Sequence, residues 1–249
     1  MTPPLFFVDS LEPARVVLSG PEGHHAARVK RLNVGEVVWL ADGTGAVAQA
    51  RVSSVGSDRV AFEIEIRSAI PSPDPRFVVV QALAKGDRGE LAVELLTELG
   101  VDEIVPWSAS RSIAQWRSDR ADRGLAKWRR TATEAAKQCR RVRVPIITDL
   151  MDTNGVLTRL SAVGSFVLQE DVDAALSEAT VPATGDVVLI VGPEGGISPQ
   201  ELTAFIGAGA QPVKLGGEVM RTSTAGAAAI AVLSTLTGRW NRYVPPGSG

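Results

Sequence analysis

In this 249-residue chain, the clearest indication of the fold is the segment Val187-Val-Leu-Ile-Val-Gly-Pro-Glu-Gly-Gly-Ile-Ser-Pro-Gln-Glu-Leu202. Its first five residues form a continuous apolar run, which is typical of a strand buried on both faces of a sheet. Ser198, Pro199 and Glu201 follow with the spacing of a helix N-terminus that carries a capping box. Residues 192–197 are therefore predicted to form a loop between the carboxyl end of a strand and a helix. In open α/β sheets, ligands bind at such loops.

A second strand, loop and helix follow the first. Residues 212–215 are typical of a short strand, Gly216-Gly217 of a permissive turn, and residues 222–236 of an alanine-rich helix. Two glycine loops that close one site would let a ligand lie against bare backbone, although tight turns alone explain the same glycines. Neither loop has a P-loop lysine, and Gly207-Ala-Gly209 lacks the third glycine of a Rossmann fingerprint. Both of these common nucleotide-binding motifs are excluded.

The two loops resemble the RsmE family, ribosomal RNA uridine-N3 methyltransferases of the knotted SPOUT superfamily. The resemblance rests on Gly-Pro-Glu-Gly-Gly at 192–196 and on Leu-Gly-Gly-Glu-Val-Met-Arg-Thr-Ser-Thr-Ala at 215–225. Similar segments occur in the family's order at 82–88, 97–101 and 134–138, so the resemblance spans most of the chain. The chain departs from the family pattern at Ser223, where the family has glutamate, and at Leu95-Leu96, where a lysine is common.

The resemblance implies an α/β fold: a SPOUT-type, mainly parallel sheet with a C-terminal trefoil knot, preceded by a PUA-like small β-barrel. It implies S-adenosylmethionine (SAM) as methyl donor. The implied acceptor is N3 of a uridine in 16S rRNA, in the decoding region of the small ribosomal subunit. It also implies a homodimer, with no metal.

Three loops are expected to surround the cofactor, because glycine-rich backbone can approach a ligand closely and offer amides and carbonyls. Each of these loops follows the carboxyl end of a predicted strand. The expected cofactor-binding residues are Leu168, Gln169, Glu170, Gly192, Pro193, Gly195, Gly196, Ile197, Leu215, Gly216, Met220, Thr222 and Ala225.

Two side chains in these loops are candidates for catalysis. N3 of uridine carries a proton at neutral pH, so an enzyme that methylates it has to favour the uracil anion. Arg221 is expected to stabilise the charge of that anion. Glu194 is a candidate general base, although capping of neighbouring amides is an open structural role for it. Ser223 excludes an essential carboxylate at its position.

Residues 1–70 are expected to form the PUA-like RNA-binding domain. Strand patterns occur at 36–41, 46–52 and 60–66, with a helix near Pro21 to Lys30. Three alternating prolines in the segment Ser68 to Pro75 predict a stiff connection, and the linker is placed at 71–76.

Residues 77–245 are expected to form the SPOUT methyltransferase domain. Apolar strand patterns alternate with helical ones, which predicts a mainly parallel sheet covered on both faces. In the first predicted helix of this domain, Leu91, Leu95 and Leu99 fall on one apolar stripe.

Positive charge is concentrated in one segment, although the net charge of the chain is only −2. Residues 117–143 contain ten basic and three acidic side chains, and eight of the ten are arginine, whose fork matches phosphate geometry. A solvated helix face would show the same pattern. A second basic cluster, Arg28, Lys30 and Arg31, follows the pair His24-His25. For the two histidines, a structural hydrogen-bonding role is favoured over catalysis. The expected RNA-binding residues are His25, Arg28, Lys30, Arg31, Lys85, Arg88, Arg111, Arg140, Arg141 and Arg143.

Composition favours a cytoplasmic protein. A single cysteine, Cys139, excludes internal disulfides and fits a reducing compartment. The N-terminal segment lacks the basic start of a signal peptide, and no stretch has the ~20 apolar residues of a membrane helix. With only two adjacent histidines besides Cys139, no zinc-type ligand cluster is visible.

Two other functions fit the same residues. A SPOUT ribose 2′-O-methyltransferase acting on ribosomal or transfer RNA would need no proton removal from a base. A non-catalytic RNA-binding factor for ribosome assembly would keep the fold without binding SAM.

Overall fold

The computed structural model describes residues 3–116, 119–161 and 163–242, which form two compact units. The first unit contains the chain up to Ser72 together with Ala136–Val144. The second contains Pro73–Ala135 and the described chain from Pro145 onward. The sequence predicts residues 136–144 within the methyltransferase domain, whereas in the structure they complete the first unit.

The first unit is built on a five-stranded sheet in the order β1-β3-β4-β5-β2. Neighbouring strands are antiparallel except for β1 and β3, which are parallel. The predicted helix is present, but its second half is a π-helix. The elements are β1 (Leu5–Phe7), β2 (Arg15–Leu18), α1 (Gly20–His24), the π-helix (His25–Val29), β3 (Val37–Ala41), β4 (Ala46–Val55) and β5 (Val60–Ala69).

Residues 136–144 join the first unit through both packing and hydrogen bonds. Val142 is buried in a small apolar cluster with Leu5 and Trp39. The Val144 amide donates to the Gly43 carbonyl at 2.9 Å. Arg143 is half-buried, and its Nη2 donates to the Ile70 carbonyl at 2.6 Å. The segment is therefore part of the folded unit rather than a solvated extension.

The second unit is built on a six-stranded, all-parallel sheet in the order β11-β9-β10-β6-β7-β8. This confirms the predicted α/β class. The chain leaves central β6 towards β7 and β8, and then fills the other side with β9 to β11. The trefoil knot stays a prediction. The elements are β6 (Arg76–Ala82), α2 (Arg88–Glu98), β7 (Glu103–Trp107), α3 (Asp119–Gln138), β8 (Ile146–Ile147), α4 (Thr153–Leu157), β9 (Ser165–Leu168), β10 (Asp186–Val191), α5 (Pro199–Gly207), β11 (Gln211–Val213) and α6 (Thr222–Leu236).

Two sequence-based predictions about elements are wrong in detail. Strand β5 continues to Ala69, so the start of the proline-rich segment is strand rather than linker. In α2 the buried side chains include Val93 and Leu96, while Leu91 is exposed, because the helix turns this other face towards α6. In the described part of the chain, none of the helices has the length and apolar character needed to cross a membrane.

Candidate active site

A cavity of about 450 Å³ lies at the carboxyl ends of β9, β10 and β11. These ends lie beside β6, where the direction of strand addition reverses, and ligands of open α/β sheets bind at such points. The three loops that the sequence predicts for the cofactor meet here. The lining residues are Arg88, Leu168, Gln169, Glu170, Val191, Gly192, Pro193, Glu194, Gly196, Ile197, Lys214, Leu215, Gly216, Gly217, Glu218, Val219, Met220, Arg221, Thr222 and Ala225.

Gly195 is the exception among the predicted cofactor-binding residues, because it is not part of the lining. A Cβ added there would lie 3.1 Å from the Arg111 carbonyl oxygen. The lining also contains Lys214, Glu218 and Val219, which the sequence-based list omits although they adjoin it. These three residues are close in sequence to the turn Gly216-Gly217, and this proximity could have placed them in the predicted site.

Buried Glu201 fixes the first glycine loop by binding three separate segments. Its carboxylate accepts from the Ser198 amide and hydroxyl, which closes the predicted capping box of α5. It also accepts from the Ser110 amide at 2.8 Å and from the Thr153 hydroxyl at 3.0 Å. Burial alone would raise the pKa of Glu201, but the hydrogen bonds from Ser110 and Ser198 outweigh it and lower the pKa.

A hydrogen-bond chain fixes the start of α6 against the same loop. The Thr222 hydroxyl donates to the Gly192 carbonyl at 2.6 Å. Nε2 of fully buried Gln81 donates in turn to the Thr222 hydroxyl at 3.1 Å. Strand β6 therefore supports both glycine loops from behind, which sequence reasoning missed because Gln81 lies 141 residues from Thr222.

Glu194 is held by groups of the β6–α2 loop and α2. Its Oε1 accepts from the Lys85 amide at 3.1 Å and lies 3.6 Å from Nη1 of Arg88. Both contacts stabilise the carboxylate, and they match the structural role that the sequence left open. Arg88 therefore lines the cavity while paired to Glu194.

Arg221 lies at the cavity as the exposed N-cap residue of α6. Among the described residues, its guanidinium has no hydrogen-bond or ion-pair partner, so it is available to a ligand. Ser223 is only 3% exposed and is not part of the lining. The position at which the family carries glutamate is thus directed into the protein.

The predicted RNA-binding residues divide between the two units. In the second unit Lys85 and Arg111 are exposed, and Arg111 donates to the Gly195 carbonyl at 3.4 Å. In the first unit His25 is half-buried and Arg141 has a partner within the protein. The Arg143 guanidinium donates to the Ile70 carbonyl. Among the predicted RNA-binding residues of the first unit, those with exposed side chains are Arg28, Lys30, Arg31 and Arg140.

Other members of the basic segment are also bound internally. Lys127 pairs with Glu90 at 2.9 Å, and Arg129 pairs with Asp149 at 3.0 Å. Within the described residues, no group of three histidine, cysteine or acidic side chains is placed to hold a metal ion.

Comparison with known proteins agrees with this geometry. The family model of an RNA methyltransferase domain matches residues 71–234, and that of an RNA methyltransferase PUA domain matches residues 18–65. Ribosomal RNA small subunit methyltransferase E of Mycobacterium bovis is 41% identical over 244 residues, covering 95% of this chain and 93% of the relative. The Bacillus subtilis protein of the same name is 26% identical, covering 88% and 90%.

Solved structures are similar over nearly the whole chain. Ribosomal RNA small subunit methyltransferase E of Neisseria gonorrhoeae, bound to SAM, is 29% identical with a TM-score of 0.83, covering 94% of this chain and 98% of that one. A Legionella pneumophila methyltransferase in complex with SAM is 25% identical with a TM-score of 0.84, covering 95% and 98%. With both domains matched and the cavity formed by the family's two glycine loops, this chain belongs to the ribosomal RNA small subunit methyltransferase E family.

Proposed function

We propose that this chain transfers a methyl group from SAM to N3 of a uridine in 16S rRNA of the small ribosomal subunit. The observation that carries the proposal is the cavity at β9 to β11, which is lined by both family loops and by Arg221, whose guanidinium has no partner among the described residues. We further propose that it acts in the cytoplasm, where ribosomal RNA is found, and as a homodimer.

The residues of the cavity fit SAM in size and chemistry. A volume of about 450 Å³ lies within the range of small-molecule sites. Val219 and Met220 are 75% and 45% exposed at the cavity, which suits an apolar contact with a flat heterocycle. Glu170 and Glu218 supply negative charge for a sulfonium. Backbone around Gly192 and Gly216 would hold the ligand, which supplies an electrophilic methyl group when bound.

Arg221 is proposed to act on the nucleophile. Loss of the N3 proton leaves a negative charge shared with the two neighbouring carbonyl oxygens of uracil. A guanidinium carried by the N-cap residue of α6 can donate to one of these oxygens, which lowers the barrier.

Glu194 is proposed as a positioning residue rather than the general base. Its carboxylate is already bound by the Lys85 amide and by Arg88, so proton abstraction would break two contacts. Ser223 is buried outside the lining and offers no carboxylate, and Glu218, the other carboxylate at the two family motifs, is proposed to face the sulfonium. Solvent is the proposed proton acceptor, and Arg221 raises the population of the anion.

One experiment distinguishes this proposal from its two alternatives. The purified chain is incubated with isotopically labelled SAM and small ribosomal subunits that lack the modification, and the rRNA nucleosides are analysed by mass spectrometry. Labelled 3-methyluridine, together with a reverse-transcriptase stop at one site, supports the proposal. Labelled 2′-O-methylribose would instead establish the ribose methyltransferase. The absence of both labels and of calorimetric SAM binding would establish the non-catalytic factor.

A further inference from the structure

Two arginines of the first unit occupy a backbone conformation that favours glycine. Arg31 has φ of 53° and Arg140 has φ of 58°, and they are the two non-glycine residues with positive φ among the described residues. A side chain is strained in this left-handed region, because its Cβ crowds the following carbonyl oxygen. Each arginine therefore carries a conformational cost that glycine would avoid.

Both arginines end a helical segment. At the end of α3, the Arg141 amide donates to the Ala136 carbonyl at 2.8 Å, and the Arg140 amide donates to that of Lys137 at 3.2 Å. This is the Schellman motif, whose left-handed position is usually glycine. The π-helix ends in a similar way, but the closing hydrogen bond spans six residues instead of five. Here the Leu32 amide donates to the Ala26 carbonyl at 3.2 Å.

The closing hydrogen bonds use backbone atoms only, so glycine would form them without this cost. The side chains of Arg31 and Arg140 are exposed, and neither has an ion pair or side-chain hydrogen bond in the part of the chain that the structure describes. A cation near a helix C-terminus is favourable, but Arg28 and Lys137 already supply one in the two last turns. Non-glycine residues held in such strained conformations cluster at functional sites.

The two helical segments are held together. Nζ of Lys137, in the last turn of α3, lies 2.5 Å from Oε1 of Glu22 in α1, which continues directly into the π-helix. Arg31 and Arg140 thus end two paired segments of one folded unit. Arg28 and Lys30 are exposed beside Arg31 and add to its positive charge.

We infer that Arg31 and Arg140 are phosphate contacts for the RNA substrate, and that each keeps its strained backbone because glycine would remove the guanidinium. The inference rests on the proposed function for the identity of the ligand as RNA. A guanidinium fork matches the geometry of phosphate oxygens, and both side chains are exposed at a helix end. Contacts of this kind position the RNA backbone and add affinity that is independent of base sequence.

The test uses the full chain with Arg31→Gly and Arg140→Gly, singly and together. Each variant is expected to melt about 2–4 °C higher than wild type, because glycine relieves the strain. Each is also expected to bind in vitro transcribed 16S rRNA more weakly. The log–log slope of affinity against salt, measured between about 50 and 200 mM, should fall by about 0.7–0.9 per arginine. Higher stability with weaker binding distinguishes a strained contact from a structural cap.

Two controls make the result specific. Arg31→Asn removes the charge, and asparagine tolerates the left-handed region without the flexibility of glycine, so it should reproduce the loss in salt slope. Arg51→Gln removes one positive charge from the same unit at a side chain bound to Glu65 at 2.6 Å, and it should leave the slope unchanged.

Three outcomes separate the possibilities. Glycine variants that are more stable but keep the wild-type salt slope would overturn the inference, and variants that melt lower than wild type would identify the arginines as structural caps and also overturn it. The proposed function fails separately, if the wild-type chain does not methylate small-subunit rRNA. Binding that depends on Arg31 and Arg140 would support the inference even then.

Discussion

At the scale of single residues, Arg221 carries the proposed chemistry. Arg221→Lys keeps the positive charge but loses the planar fork that could reach a uracil carbonyl oxygen. We expect the single-turnover rate to fall about a hundredfold, or about 2.7 kcal/mol, as on removal of one preorganised donor. Raising the pH should restore part of the rate, because hydroxide then helps to populate the uracil anion.

Binding measurements provide the control for this prediction. SAM affinity by calorimetry and RNA affinity by filter binding should change little in Arg221→Lys. Normal single-turnover chemistry combined with poor SAM affinity would make Arg221 a binding residue and remove it from the catalytic step.

Gly216 and Gly195 differ in a way that the sequence could not show. A Cβ at Gly216 would have the Glu218 carboxylate, 3.8 Å away, as its nearest neighbour, so Gly216→Ala should fold normally and place a methyl group at the cavity. We expect it to weaken SAM binding at least tenfold, a change of about 1.4 kcal/mol, measured by calorimetry with melting temperature as the folding check.

Gly195→Ala is the matched control. Its methyl group would press on Arg111 rather than on the cavity, so the melting temperature should fall while the residual folded protein keeps SAM affinity. Equal losses of SAM affinity in both variants would show that the two glycines share one role.

At the scale of elements, local patterns were predictable and the contacts of their side chains were not. Ser198 and Glu201 predict the start of α5 because a capping box lies within four consecutive residues. The same carboxylate also binds Ser110, 91 residues away, and no local pattern encodes that contact. The apolar stripe of α2 failed for a similar reason, since the position of α6 decides which face of α2 is buried.

Glu201 also gives the fold a predictable dependence on pH. Its pKa in the folded chain is below the ordinary value of about 4.3, so the ionised carboxylate stabilises the fold at neutral pH. That contribution is present above the ordinary pKa and is lost as pH falls through the lowered one. Glu201→Gln should cost about 1–3 kcal/mol at pH 7, because an amide cannot accept all the hydrogen bonds of Ser110, Thr153 and Ser198.

Urea unfolding of both proteins from neutral to acid pH tests this prediction. The difference in unfolding free energy between wild type and Glu201→Gln should stay constant down to about pH 5 and narrow below about pH 4. A difference that is independent of pH would show that packing, not the charge of Glu201, supports the loop.

At the scale of the whole molecule, the class of each unit could be predicted, but the path of the chain between them could not. Alternating apolar strands and helices indicate a parallel sheet, and this was confirmed. The return of residues 136–144 to the first unit depends on contacts of Val142 and Arg143 with residues about seventy or more positions earlier. The arginine-rich composition of the segment predicts a solvated face or an RNA contact. It does not predict packing against the first unit.

This path of the chain predicts that residues 1–72 alone do not form the complete first unit, because residues 136–144 are part of it. A fragment of residues 1–72 lacks Val142, whose burial against Leu5 and Trp39 contributes about 1.5–3 kcal/mol, and it leaves the Gly43 and Ile70 carbonyls without their donors. We expect the fragment to unfold at a lower temperature and a lower urea concentration than a version in which residues 136–144 are attached through a flexible linker. The matched control carries Val142→Asp in the attached segment and should behave like the bare fragment. Equal stability of all three proteins would contradict the assignment of this segment to the first unit.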